Sequence, residues 1–507
     1  MSGTIIKHVP LNLITNIFVF LLNIIVNILM TPFYITHLGV DGLGIVRLAL
    51  LLPMYISLAT IVVSGAIGRF LTLNIQEKRY VAAKEFFNTS LFGIGAIILI
   101  ISPIMIVFTL NITTFLSIPP KYYMQASSLF LGVFFASQIS VLSALFLVPA
   151  YANNRLDIQN YIKIITIFIQ TALIVALFLW ISSNISYIGY SYIAASLIGL
   201  FFSMIVWKEF APFLKIHISF FKLSRLKEVL TMGSWLLINQ LGSILFLSID
   251  LLIINYFFGA EATGDYSIVL QWSILLRSMA GVISSVLGPI IVISYANQNF
   301  SEIITYSKIS VKFMSMFVAI FVGIILGFSD SLFSLWVGSE FSKLVPLLWL
   351  VIAHLVINLA VLPLFSINTA YNMVKVPALV SLGFGFINLL LAIALAAFSD
   401  LGLYGIALAS AIVLTLKNAI FTPIYAASIL NISTFIFIKE MRTGIVVLGV
   451  VLGIAFGVNI LVQIDQWIEL IVCGSLVLCI VGLILWNMIL SKDEIKTIKK
   501  VIKRKGL

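Results

Sequence analysis

The sequence predicts an all-α polytopic membrane protein, because it contains about 14 apolar runs of the roughly 20 residues that a spanning helix needs. Composition points the same way: 62% of the 507 residues are hydrophobic, 9% are charged, and the mean hydropathy is +1.20. The runs are long and continuous and lack the alternation of barrel strands, which favours helices. Cys473 and Cys479 both fall in the last run, so we expect neither a disulfide nor a metal site.

Basic residues are distributed unevenly between the predicted loops. Threading the spans from a cytoplasmic N-terminus places most of the 29 Lys and Arg in inner loops and tails, whereas the outer loops hold Lys121 and Lys343. This positive-inside asymmetry predicts that both termini are cytoplasmic. It also accounts for the net charge of +11, so we expect no nucleic-acid partner.

Two similar hairpin sequences mark an internal duplication. LGVDGLG at 38–44 and FGAEATG at 258–264 align at an offset of 220, which pairs Gly39 with Gly259 and Gly44 with Gly264. Further matches follow in the same order along the chain, as expected for a repeat. Because each copy contains six spans, the copies enter the membrane from the same side and form parallel bundles. Each motif is predicted to be a short outer loop.

This duplication sets the predicted domain organisation. A basic segment with interleaved apolar residues, KEFAPFLKIHISFFKLSRLKEV, separates the copies and predicts an amphipathic helix on the inner leaflet. We predict, in order, an N-terminal six-helix bundle over 1–207, an amphipathic cytoplasmic linker over 208–228, a C-terminal six-helix bundle over 229–430, two additional transmembrane helices over 431–490, and a basic cytoplasmic tail over 491–507.

Charges inside the predicted spans are mostly positive. Arg47, Arg69, Arg277 and Lys417 are cations, and Asp250 is the one deep carboxylate. A charge at membrane depth costs at least a few kcal/mol, so it usually faces a partner or a wet cavity. The guanidinium of Arg can form two parallel hydrogen bonds to a phosphate. The excess of cations over carboxylates inside the spans therefore predicts that these four cations bind a phosphate or pyrophosphate headgroup.

Two alternatives to that role stay open. Asp250 and Arg277 could form a salt bridge that only fixes their helices, and Arg69 could be an interfacial arginine that snorkels to the surface. Polar residues also recur on single helix faces, and four Asn of the first span lie within about 60° of arc. Such stripes either line a wet cavity or join helices through side-chain hydrogen bonds. The predicted cavity lining is Asn12, Asn16, Asn23, Asn27, Asn239, Ser243, Ser273 and Ser284.

The hairpin motifs and their surroundings resemble a known family. Two parallel six-span copies that each open with such a hairpin resemble the MOP exporter superfamily. Within it, TPFYITHLGVDGLGIVRLALLLP followed by SGAIGRFLTL resembles the polysaccharide and O-antigen (Wzx-type) flippases. The resemblance implies that undecaprenyl-diphosphate-linked oligosaccharide is flipped from the inner to the outer leaflet of the bacterial cytoplasmic membrane. It implies alternating access through a central cationic cavity and no cofactor.

The resemblance also suggests a coupling ion, H⁺ or Na⁺. Related flippases hold sodium between spans seven, eleven and twelve, and Asp250, Asn388 and Thr415 are the counterparts by location. Two features depart from neighbouring branches. The first span lacks the Ser-Arg and Arg-Asp pairs of lipid II flippases, and it lacks the carboxylate of drug and sodium antiporters.

Other functions compete with this one. The alternatives among transporters are a cation-coupled multidrug (MATE-type) exporter and a lipid II flippase. A membrane glycosyltransferase or polymerase would need a catalytic constellation on a substantial outer loop, whereas the outer loops here are short, so we expect no enzyme. The expected partners are a polyprenyl-diphosphate-linked glycan, membrane lipids and other polysaccharide-assembly proteins, and we expect a monomer.

Overall fold

The structure is a computed structural model that describes residues 8–485, apart from the side chains of residues 9, 59, 61–66, 231–236, 239, 243 and 247. All regular elements within this range are helical. The basic tail predicted over 491–507 lies outside the described residues. By its internal contacts the chain divides into two units, Met1–Ser267 and Ile268–Leu507. The domain ranges drawn from the repeat are a separate division of the chain and stay a prediction.

The helices follow the predicted spans closely. In the first unit they are α1 (Val9–Ala49), α2 (Leu52–Gln76), α3 (Tyr80–Leu110), α4 (Ile112–Phe115), α5 (Tyr123–Ala152), α6 (Leu156–Trp180), α7 (Ser186–Phe210), α8 (Leu223–Leu247) and the start of α9 (Ile249–Ala296). The second unit continues with α10 (Phe300–Gly327), α11 (Ser329–Trp336), α12 (Val345–Ile352), α13 (Leu355–Asn358), α14 (Phe365–Ala370), α15 (Lys375–Phe398), α16 (Leu403–Thr415), α17 (Thr422–Ile429), α18 (Ile436–Leu461) and α19 (Trp467–Ile484).

Among the described residues, 12 helical stretches are long and apolar enough to cross a membrane. Two of these, Pro10–Leu58 and Gln240–Ala296, are 49 and 57 residues long. Each is roughly twice the length that a bilayer requires, and each contains a reversal of the chain that is described below. Counting each as two crossings reconciles the structure with the predicted number of spans.

The first reversal lies at Gly39, where α1 has φ 74° and ψ 174°. Arg47 Nη2 donates to Thr31 Oγ1 at 2.7 Å although the two residues are 16 apart in sequence. In a straight helix that separation would be about 24 Å. The helix on one side of Gly39 therefore folds back along the helix on the other side. Glycine suits this position because other L-residues rarely adopt a positive φ.

The second reversal repeats the first. Gly259 in α9 has φ 85° and ψ −174°, and the Tyr266 hydroxyl donates to Asp250 Oδ2 at 3.2 Å across a separation of 16 residues. Gly39 and Gly259 are the glycines that the sequence repeat aligns. The prediction of multi-residue loops at 38–44 and 258–264 was wrong, since a single glycine makes each turn and helix continues on both sides.

The duplication itself is confirmed by matching local structure further along the chain. α3 begins at Tyr80 and α10 begins at Phe300, 220 residues later. The turn before each helix contains a residue with a positive φ, Lys78 at 57° and Gln298 at 53°. Because positive φ is uncommon outside glycine, its recurrence at the same offset marks the two segments as copies of one unit.

A close backbone contact joins the two hairpins inside the first unit. A Cβ added to Gly44 would lie 2.2 Å from the Ala260 carbonyl oxygen, and one added to Gly264 would lie 2.2 Å from the Val40 carbonyl oxygen. The two contacts are related by the same offset of 220, so they form a pseudo-twofold pair. Small residues permit this approach of helices in a membrane protein, where packing drives association.

The linker differs from its prediction. It contains no α-helix between Ala211 and Lys222, where a short 3₁₀ turn forms at Ile218–Phe220. Pro212 disfavours helix in the residue before it, which is where α7 ends. The buried Asn88 of α3 holds the linker instead: its Nδ2 donates to the Lys215 carbonyl and its Oδ1 accepts from the His217 N–H, at 2.9 and 2.8 Å.

We expect Gly44→Ala and Gly264→Ala to destabilise the protein by similar amounts, about 1–3 kcal/mol each, because each added methyl overlaps a backbone carbonyl. Gly383→Ala is the control, because nothing lies within 4 Å of a Cβ there and alanine is the better helix former. Thermal unfolding of the purified protein in detergent measures all three. A Tm for Gly44→Ala equal to that of Gly383→Ala would contradict the contact.

Candidate functional site

The candidate site in the second unit is centred on Arg277. Arg277 on α9 acts electrostatically on both His354 and Lys417. Its Nε donates to Ser273 Oγ at 3.2 Å, one helical turn away. Lys417 Nζ lies 5.9 Å from the centroid of the Phe365 ring. Two members of the predicted headgroup set are therefore neighbours, and His354 joins them.

His354 sits in a helix that is interrupted in the middle of the predicted span 344–367. The regular α-helical hydrogen bonding stops between α12 and α13 and again before α14, where a 3₁₀ turn contains Pro363, although the backbone dihedrals at these junctions stay in the right-handed helical region. Proline removes a backbone donor and stops a helix from continuing. Inside a bilayer such breaks are tolerated where the freed backbone groups are satisfied by protein or line a cavity. Interrupted helices of this kind form substrate sites in many transporters.

Lys417 also lies in irregular helix, in a π-helical stretch at Leu416–Phe421 between α16 and α17. π turns are rare and occur frequently at functional sites. Asn418 of this stretch donates through Nδ2 to the Asn358 carbonyl at 3.1 Å. The π turn thereby satisfies a backbone oxygen that the interrupted helix exposes.

Asn358 connects these two irregular segments through its side chain. It is fully buried, and its Nδ2 lies 2.6 Å from His354 Nδ1 and donates to Thr415 Oγ1 at 3.0 Å. A buried polar network of this kind fixes the relative positions of its members, because an unmatched group there is costly. Asn358 therefore fixes both the imidazole of His354 and the helix that leads to Lys417.

An open cavity of about 620 Å³ borders the interrupted helix. Its walls combine the small, polar face of α9 with the segment around α14; they include Gly281, Ser284, Gly288, Phe365, Ser366 and Thr369. Ser284, one of the predicted cavity residues, lies in this wall, and its role in the transport cavity stays a prediction. Phe365 of this wall is the residue whose ring centroid lies 5.9 Å from Lys417 Nζ. The cations and the cavity are thus parts of one region of the second unit.

Arg47 occupies a separate polar environment in the first unit. Besides its bond to Thr31, its Nη1 donates to Asn27 Oδ1 at 3.5 Å. Tyr34 and Tyr192 also interact with it electrostatically. The Asn stripe of α1 therefore does reach one of the predicted cations.

The four asparagines of that stripe have different surroundings. Asn12 is buried, donates to the Asn154 carbonyl at 2.9 Å and accepts from the Asp157 N–H at 2.8 Å. For Asn12, therefore, the helix-packing alternative holds and the cavity prediction is wrong, because both ends of its amide are used in joining α1 to the start of α6. Asn16, Asn23 and Asn27 remain exposed along α1, and their cavity role stays a prediction.

The three residues suggested for ion coupling each have partners. Asp250 is buried in the first unit beside the hydroxyl of Tyr266, and it acts electrostatically on Tyr55. In the second unit Asn388 Oδ1 accepts from Ser410 Oγ at 3.2 Å, and Thr415 Oγ1 accepts from Asn358. Their coupling role stays a prediction, as does the Asp250–Arg277 alternative.

Arg69 is exposed near the C-terminal end of α2, and its place in the headgroup set also stays a prediction. Asn239 and Ser243 lie on α8, but their side chains are outside the described residues. Three features were not predicted from the sequence: the position of His354 beside Arg277, the bonds of Asn358 and the interrupted helix. Pro363 and the polar residues on either side of it were the available indication in an otherwise apolar run.

Comparisons with known proteins agree with this geometry. No family model matches the chain. The Bacillus subtilis (strain 168) protein named "Uncharacterized membrane protein EpsK" is 30% identical over 501 residues, which cover 98% of each chain. The chain belongs to the EpsK family of membrane proteins. It is therefore a multi-pass membrane protein, as its helices also indicate.

Two solved structures share the fold. One is an inward-facing multidrug resistance MATE family transporter of the MOP superfamily, with a TM-score of 0.64 and 14% identity over 80% of this chain and 95% of that chain. The other is the lipid II flippase MurJ in an inward closed conformation, with a TM-score of 0.64 and 15% identity over 94% of this chain and 99% of that chain. The EpsK-family chain thus has the fold of MOP superfamily transporters, as predicted.

We expect Asn358→Leu to destabilise the protein by about 1–3 kcal/mol, because it leaves the buried groups of His354 and Thr415 without this partner. Asn16→Leu makes the same chemical change at an exposed position of α1 and should have little effect on the Tm. Thermal unfolding in detergent compares the two variants. Equal Tm values for both would show that Asn358 does not support the site.

Proposed function

We propose that this chain is a flippase that moves polyprenyl-diphosphate-linked oligosaccharide, a precursor of cell-surface polysaccharide, from the inner to the outer leaflet by alternating access. The lipid is undecaprenyl diphosphate in this proposal, and the membrane is the bacterial cytoplasmic membrane with both termini inside. The flippase works as a monomer with membrane lipids and other polysaccharide-assembly proteins as its partners.

The observation that carries the proposal is that two cations, Arg277 and Lys417, lie within electrostatic range of each other. Like charges within a membrane protein repel strongly, because the low dielectric strengthens their interaction. Holding them together beside an open cavity is favourable when an anion occupies the region. A diphosphate offers several negative oxygens, which suit the bidentate guanidinium of Arg277 and the point charge of Lys417. Arg47 and Arg69 are further proposed members of this headgroup set.

A cation-coupled multidrug exporter is the first alternative, and the MATE-like fold is the observation in its favour. The electrostatics favour the flippase over this alternative, because a region rich in Arg and Lys repels organic cations. The extent of the structural matches also favours it. The lipid II flippase covers 94% of this chain, whereas the MATE structures cover 80% to 90%.

A lipid II flippase is the second alternative, and it uses the same headgroup chemistry. It differs in the glycan and in the first span, where this chain carries an asparagine stripe. A preference for one glycan over another separates the two functions. We propose H⁺ or Na⁺ as the coupling ion, with Asp250, Asn388 and Thr415 as the candidate residues.

We expect Arg277→Ala and Lys417→Ala each to slow flipping at least about tenfold, because each removes a charge-assisted contact with the diphosphate. Arg277→Lys should be intermediate, since it keeps the charge but loses the fork. The assay uses the protein in liposomes with a fluorescent undecaprenyl-diphosphate-linked sugar and measures protection of the label from a membrane-impermeant quencher.

Arg442→Ala is the matched control, because Arg442 is an exposed arginine of the same unit that lies outside this cation cluster. All variants must first show wild-type insertion and Tm. Wild-type flipping by a folded Arg277→Ala protein would remove the proposed role of the cluster.

Asp250→Asn distinguishes the two roles left open for this carboxylate. If Asp250 couples an ion, the variant should lose the dependence of flipping on the pH or sodium gradient while the wild type keeps it. If Asp250 only neutralises Arg277, a variant with both residues neutral should flip faster than either single variant. The same liposome assay, run with and without each gradient, decides between these outcomes.

A further inference from the structure

A second cavity lies entirely within the first unit and has no part in the cation cluster. It measures about 510 Å³ and is bounded by α2, α5, α6 and α7. That volume falls in the range typical of small-molecule sites. Its walls are apolar with many hydroxyls, among them Ser137, Ser140, Ser143, Thr166, Ser196 and Ser203.

Most of these hydroxyls already donate a hydrogen bond within their own helix. Ser140 Oγ donates to the Ala136 carbonyl at 2.9 Å, Ser196 Oγ to the Ile193 carbonyl at 2.8 Å, and Thr166 Oγ1 to the Lys163 carbonyl at 2.9 Å. A hydroxyl that donates to its own helix keeps its lone pairs for accepting. The cavity wall is therefore rich in hydrogen-bond acceptors, and it suits a ligand that carries many donors.

One hydroxyl of the wall is buried without a partner. Ser143 is 9% exposed, and its Oγ makes no hydrogen bond within the described part of the chain. A buried polar group in that state costs free energy unless a ligand or water satisfies it. The Ser143 hydroxyl therefore offers a hydrogen-bonding partner to a polar ligand in this cavity.

Polar side chains with donors also line the cavity. Lys163 and Gln159 lie near the start of α6, and Gln170 lies two to three turns further along and bonds to Tyr192. Lysine supplies donors only, whereas the amide of Gln159 and the phenol of Tyr192 can act either way. Tyr192 adds an aromatic face, and it interacts electrostatically with Arg47. Mixed apolar, aromatic and hydrogen-bonding walls fit a ring that has hydroxyls at its edge and C–H groups on its faces.

We propose that this cavity binds a sugar ring of the transported glycan, such as a hexose or an N-acetylhexosamine, and so contributes to glycan selection. The inference rests on the proposed function for the identity of the natural ligand. It adds to that function a site for the sugar, apart from the cationic region that takes the diphosphate. Phospholipid acyl chains and water are the competing occupants.

The test measures saturation-transfer NMR from the purified full chain in detergent to two probes, methyl glucoside and methyl N-acetylglucosaminide. Ser140→Leu fills the cavity and should weaken binding of the preferred glycoside about tenfold, the loss expected for one or two hydrogen bonds. Ser102→Leu on α3 is the matched control, because Ser102 also donates to its own helix, at 2.7 Å from the Ile98 carbonyl, but lies outside the cavity. If Ser140→Leu does not fold, Ser196→Val replaces it, because valine adds less volume to the cavity than leucine does.

A second arm titrates the same proteins with sugar-free undecaprenyl diphosphate. We expect Ser140→Leu to bind it like the wild type, and Arg277→Ala to bind it more weakly while still binding the glycoside. Absence of glycoside binding, or equal binding by Ser140→Leu and wild type, overturns the sugar site. Displacement of a bound acyl chain with no glycoside signal overturns it as well. Glycoside binding without any binding of the diphosphate lipid would uphold the cavity and overturn the proposed function.

Discussion

The need to satisfy every backbone polar group inside the protein governs this structure, because a bilayer core offers no water for hydrogen bonding. The chain meets it in two ways. At Gly39 and Gly259 it reverses within a single residue, so that helical hydrogen bonding resumes almost at once. Where regular α-helical hydrogen bonding stops for longer, around His354, the Asn418 amide donates to the carbonyl of Asn358. At these places the break is therefore either very short or partly satisfied by a side chain from a neighbouring helix.

The same constraint explains why the polar chemistry of the second unit is concentrated. Asn418 of the π turn donates to the backbone carbonyl of Asn358 in the interrupted helix, and the Asn358 side chain donates to Thr415 just before the π turn. Once that network exists, it places His354 and Lys417 in the electrostatic reach of Arg277. Irregular backbone and clustered charge thus support each other, and an anionic ligand would relieve the repulsion that remains.

The parts of the fold that depend on pattern along the chain could be predicted. Apolar run length located the helices, and the paired glycine motifs revealed a duplication that recurs in the φ values of Lys78 and Gln298. The linker was mispredicted because alternating basic and apolar residues suggest an amphipathic helix, whereas Pro212 and the side-chain bonds of Asn88 decide its actual path. The burial of Asn12 could not be predicted from the sequence either, because its partners Asn154 and Asp157 lie more than 140 residues away along the chain.

The sequence by itself determined the class of protein, the number of crossings, the duplication and the excess of cationic residue types within the spans. These follow from local composition and from self-similarity, which need no knowledge of contacts. Only the tertiary structure decided which of the polar residues meet. It places His354 and Lys417 within electrostatic range of Arg277. It also shows that Asn12 joins two helices and that a hydroxyl-lined cavity lies between α2, α5, α6 and α7. The physical reason is that contacts between helices depend on how the helices pack, reverse and are interrupted. An apolar sequence pattern contains little information about any of these.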